Sequence, residues 1–73
     1  MKAEYALEAA LRTASAGGAI TPEDLILRAL LAGGRGGVSE AARILAAAAL
    51  LDRDYLEYWV DALGLQETWR PLR

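Results

Sequence analysis

Ile20-Thr21-Pro22-Glu23-Asp24-Leu25-Ile26-Leu27-Arg28-Ala29-Leu30-Leu31-Ala32-Gly33 is the stretch that decides the fold of this chain. Thr21 is a good helix N-cap, and Pro22 suits the first helical position because its missing N–H would go unused there. Glu23 and Asp24 place negative charge at the positive end of the helix dipole. Ile20 and Leu25 bracket the cap as a hydrophobic staple. The body that follows is apolar on most sides, interrupted only by Arg28, and a helix of that kind belongs in the middle of a fold. The stretch predicts a central helix over 22–32, closed by Gly33.

Towards the C-terminus, Gly33-Gly34-Arg35-Gly36-Gly37 reads as a flexible connector. Ser39 then caps a third helix, about 40–51, with Ala41, Ile44, Leu45, Ala48 and Leu51 on its buried face. Asp52 caps a fourth, about 53–63, whose Leu56, Trp59, Val60 and Leu63 recur at helical spacing. Gly64 stops it, and a short turn over 66–70 precedes Pro71. Towards the N-terminus, a first helix over 2–15 carries Ala3, Leu7, Ala10, Leu11 and Ala14 on one face, the face expected to pack inward. Glu8 and Arg12 are spaced for an i,i+4 pair. Gly17-Gly18 ends this helix. No segment alternates with period 2. The expectation is an all-α chain: one domain over 1–73, a compact bundle of four helices plus a short C-terminal helical turn.

Composition narrows the chemistry. The 73 residues include no Cys and no His, which removes disulfide scaffolds, zinc fingers and Cys- or His-based catalysis. Eight basic against ten acidic residues give a net charge of −2, which argues against a nucleic-acid footprint or an anionic lipid anchor. The longest apolar run, Ile44 to Leu51, falls far short of the ~20 residues of a membrane span. Glu4 and Glu8 break the N-terminal apolar pattern, unlike a signal peptide. A cytoplasmic protein without a membrane segment is expected. The apolar share of 55 % is high for a domain that hides only ~60 % of its unfolded surface. That excess predicts an oligomer or a partner protein.

Candidate chemistry is sparse. Ser15, Ser39, Thr13, Thr21 and Thr68 lack a histidine to activate them, and Ser39 and Thr21 read as caps. Asp54, Glu57 and Asp61 share one helix face, which suits Mg²⁺ or Ca²⁺ in residue type. A solvated acidic face opposite Trp59 is the preferred reading. The glycine run resembles a phosphate cradle in outline, but it lacks the P-loop Lys and Glu40 would repel an anion. Val38 to Leu45 reads like the first helix of a helix-turn-helix with Tyr55 to Val60 as its second. Alanines stand where the turn glycine belongs, the connection exceeds a 3–4-residue turn, and Asp54, Glu57 and Asp61 would face phosphates. Tyr58 lies off the Leu56–Trp59–Leu63 stripe and is a surface-contact candidate. Trp69, with Leu72, is positioned to fold back over one end of the core.

One resemblance to a known family is visible. Ile20 to Leu27, followed by Leu30-Leu31-Ala32-Gly33, is similar to the "S-P-E-D-L-I" helix of AbiEii-type nucleotidyltransferase-like proteins. Asp52, Tyr55, Leu56, Trp59, Leu63 and Gly64 resemble that family's C-terminal Asp…Tyr-Leu…Trp…Leu-Gly segment. The resemblance covers about 20–72. Ala29, Gly34, Gly37 and Glu40 stand where the family usually has a Lys, an Arg and two acids. The catalytic Gly-Ser turn and Asp-x-Asp pair on a sheet have no counterpart, because Asp52-Arg53-Asp54 opens a helix. The resemblance implies the family's helical accessory part without its catalytic core.

The expected function is therefore non-enzymatic: a small helical protein–protein interaction module, with no catalytic, metal or cofactor residues assigned. It either self-associates, as a dimer, or docks on a partner such as a nucleotidyltransferase-like or toxin–antitoxin component. Leu27, Leu30 and Leu31 on the second helix, with Tyr58 and Trp69, are the expected contact residues. A helix-turn-helix-like DNA-binding regulator and an accessory subunit binding a metal or nucleotide are the alternative classes.

Overall fold

The computed structural model describes residues 3–72. Helix α1 spans Ala3–Ser15, α2 Pro22–Ala32, α3 Gly34–Ala47, α4 Arg53–Ala62 and α5 Gln66–Trp69, and a single 3₁₀ turn covers Arg70–Leu72. No strand occurs among the described residues. Four helices and a short C-terminal helical turn make up the fold, as the periodicity predicts. Of the first helix's expected span, Lys2 lies outside the described residues.

The caps explain most boundaries. Thr21 accepts a hydrogen bond from the Asp24 backbone N–H while its hydroxyl donates to Asp24 Oδ2 at 3.1 Å. This is a reciprocal cap that fixes the start of α2. Asp52 likewise accepts from the Tyr55 N–H at 3.1 Å and starts α4. Gly64, at φ 71°, turns the chain after α4 in a conformation that L side chains rarely adopt.

Helix α2 is the centre of the molecule, packed against both α3 and α4. Ile26, Leu27 and Leu30 are buried there with Ala41 of α3, Leu56, Trp59 and Val60 of α4, Trp69 of α5 and Tyr5 of α1. This corrects the expectation that Leu27, Leu30 and Leu31 form an exposed side. Leu27 is 0 % and Leu30 2 % exposed, and Leu31 is half-buried against the same core. Two helices cover α2 at once, so its apolar girth is used inside the molecule.

The glycine run is not a loop. Gly33 at φ 76° and Gly34 at φ 68° make the turn, and α3 begins at Gly34. Ser39 lies inside α3 and caps nothing. Gly36 and Gly37, inside the helix, carry a propensity cost of ~1 kcal/mol each relative to Ala, and close packing against α2 offsets it. A Cβ placed on Gly37 would stand 2.3 Å from the Ala29 carbonyl oxygen. Only glycine allows the two backbones to approach so closely. Helix α3 ends at Ala47 rather than near Leu51, and Ala48 is extended. The chain must unwind there to bring the Asp52 N–H to Glu23 Oε2, at 2.8 Å.

Candidate functional site

Helix α1 is oriented by polar contacts. Tyr5, Ala9 and Arg12 recur at i, i+4, i+7 along one edge, and that edge meets the start of α2. The Tyr5 hydroxyl donates to Asp24 Oδ1 at 2.7 Å, and the Tyr55 hydroxyl of α4 donates to the same oxygen at 2.6 Å. Arg12 Nη2 donates to Glu23 Oε1 at 2.9 Å. The guanidinium also lies 3.8 Å from Asp24 Oδ2 and 3.8 Å from Asp52 Oδ2. It stacks over the Tyr55 ring with its carbon 3.9 Å from the centroid. Arg12 thus pairs with Glu23, Asp24 and Asp52 rather than with Glu8, the partner its spacing suggested.

This clasp ties α1, α2 and α4 together through one buried carboxylate. Asp24 is 1 % exposed, a placement tolerable only because its oxygens accept from Thr21, Tyr5 and Tyr55 beside a guanidinium. Burial first, and then the hydrogen bond to Asp24, push both the Tyr5 and Tyr55 hydroxyls above the usual phenol range. Both therefore stay protonated and donating at neutral pH. The Tyr5 ring packs edge-on against Trp59 with centroids 5.1 Å apart.

The consequence for α1 reverses the expectation from its hydrophobic pattern. Ala3, Leu7, Ala10, Leu11 and Ala14, expected to pack inward, are all exposed, Leu7 at 65 % and Leu11 at 56 %. Beside this outward face runs an apolar groove of about 510 Å³. Ala6, Ala10 and Ala14 of α1 form one wall, and Ile20 and Arg28 form the other. Leu7 and Leu11 thus leave a contiguous apolar surface on α1.

The remaining expected contact residues separate. Tyr58 is exposed at 64 % and stands edge-on to Trp59. Trp69 is buried, with its indole N–H donating to Glu57 Oε2 at 2.6 Å, so it closes the core and offers no contact surface. Asp61 accepts from Gln66 Nε2 at 2.8 Å. Glu57 and Asp61 thus anchor α5. Among the described residues no three His, Cys, Asp or Glu side chains are placed to hold a metal ion. No helix among them is long and apolar enough to cross a membrane.

Sequence reasoning missed Tyr5, Arg12, Glu23, Asp24 and Asp52 as a unit. The available signal was a second stripe on α1, Tyr5–Ala9–Arg12, and one more acid at the start of α2 than its cap requires. Comparison with known proteins finds no matching family model, curated protein or solved structure, so the functional reading rests on this chain's own geometry.

Proposed function

We propose that this chain is a non-enzymatic helical interaction module whose docking surface is the outward face of α1. One observation carries the reading. Leu7, Leu11 and three alanines stay in water while the polar edge of the same helix is turned inward, with Tyr5 hydrogen-bonded to Asp24 and Arg12 to Glu23. A helix arranged this way keeps apolar area that a protein partner can cover. The resemblance of 20–72 to the helical part of AbiEii-type nucleotidyltransferase-like proteins supplies one partner class, a nucleotidyltransferase-like or toxin–antitoxin component.

The test is the double variant Leu7→Glu/Leu11→Glu, studied by thermal unfolding at high dilution and by binding of an apolar fluorescent dye. The expected outcome is an unchanged melting temperature together with reduced dye binding. A melting temperature lowered by many degrees would show that these leucines belong to the core, and would overturn the reading.

A further inference from the structure

We infer that the occupant of the α1 face is a second copy of this chain, with the two α1 helices packed parallel about a two-fold axis running along them. This rests on the interaction-module reading and goes beyond it by naming the partner and its orientation.

The face is lopsided in both size and charge. At about 3.6 residues per turn, Leu7 and Leu11 form a ridge that adjoins Glu4 and Glu8. Ala10 and Ala14 form a trough on the other side, walled by Ile20 and Arg28. Arg28 lines this groove together with Tyr5, Ala6 and Ala9 of α1, on the side of the helix opposite Glu4 and Glu8. The described residues give none of Glu4, Glu8 and Arg28 an ion pair within the chain.

Two symmetric packings are available to such a helix. An antiparallel pair sets like edge against like edge: leucine ridge on leucine ridge, Glu4 and Glu8 against their own copies, and trough against trough. A parallel pair exchanges the edges. The leucine ridge of one copy then enters the alanine trough of the other, large against small, and Glu4 and Glu8 meet the other copy's Arg28. Size and charge complementarity select the same arrangement. A single 13-residue helix with Ile20 beside it lies at the small end of stable interfaces, so the dimer is weak and reversible.

Cysteine cross-linking tests this directly, because the chain has no cysteine of its own. Ala3→Cys and Ala14→Cys occupy the two ends of the face, about 16 Å apart along the helix. A disulfide needs Cα atoms within ~7 Å. In the parallel dimer each variant, oxidised alone, cross-links to its own copy, while an exposed control, Glu67→Cys, stays monomeric. In solution the mass of the unmodified chain rises with concentration. Arg28→Glu weakens this association at least tenfold, and adding Glu4→Arg and Glu8→Arg restores it. Cross-linking only in the mixture of Ala3→Cys and Ala14→Cys would mean an antiparallel pair and would overturn the inference. So would a mass that stays monomeric at every concentration, with neither variant cross-linking. In that second case an unchanged melting temperature for Leu7→Glu/Leu11→Glu keeps the α1 face as a docking surface for a different protein, and a lowered one removes both readings.

Discussion

At the scale of single residues, neighbouring glycines carry opposite consequences. Gly36 is helical with nothing near the position of a Cβ, whereas a Cβ on Gly37 collides with the Ala29 carbonyl. Gly36→Ala should therefore stabilise the protein by about 0.5–1 kcal/mol, through helix propensity and a more restricted unfolded chain. Gly37→Ala should destabilise it by about 1–3 kcal/mol, because the α2–α3 contact must open. Urea denaturation of the two variants beside the parent checks both signs. Asp24 is the other decisive residue. Asp24→Ala strands the Tyr5 and Tyr55 hydroxyls and leaves Arg12 with fewer partners. A loss of roughly 3 kcal/mol is expected in the same experiment. The tyrosines also set an alkaline limit. Their hydroxyls titrate higher in the folded state than the unfolded value of about 10. Their contribution is complete below about pH 10 and falls above it, by up to about 1.4 kcal/mol per pH unit for each. Stability measured between pH 9 and 11.5 should fall less steeply in Tyr5→Phe/Tyr55→Phe.

At the scale of elements, α2 takes the central place its pattern predicts, while α1 turns outward the stripe its pattern places inside. Both carry leucines at helical spacing, and periodicity alone cannot say which stripe finds a neighbour. Helix α2 is flanked by α3 and α4, so Ile26, Leu27 and Leu30 are covered. Helix α1 is held by Tyr5 and Arg12, and its leucines face out. Leu30→Ala should cost about 2–5 kcal/mol, as truncations of buried leucine do. Leu11→Ala on α1 should change stability by less than about 0.5 kcal/mol. A pair of thermal melts at high dilution separates the two. Helix α3 teaches a related lesson. Its glycines predict a connector, yet α3 is helical from Gly34 because close approach to α2 outweighs weak local preference.

At the scale of the whole molecule, the radius of gyration of 11.4 Å matches the ~11 Å expected for a folded chain of this length. The apolar excess is therefore not a sign of an open fold. Leu50, 88 % exposed, holds part of it, and another part is the α1 face, flanked by Glu4 and Glu8 on one edge and by Arg28 on the other. Association through the α1 face should weaken as salt rises, because the Debye length falls from ~10 Å at ~0.1 M to ~3 Å at ~1 M and exposed charges a few ångströms apart become screened. Light scattering at low and high ionic strength should show the larger mass at low salt, while Arg28→Glu, which sets acid against acid, should reverse this dependence and associate more at high salt. The sequence by itself determined the all-α class, the caps at Thr21 and Asp52, the stop at Gly64 and the central place of α2, because each of these is written in local chemistry or in one helix's own periodicity. Only the tertiary structure decided that Gly34 to Gly37 are helical and that the leucines of α1 face outward. Those outcomes depend on contacts across the chain, Gly37 with Ala29 and Tyr5, Arg12 and Tyr55 around Asp24, and no local pattern encodes which of two competing stripes a neighbour will cover.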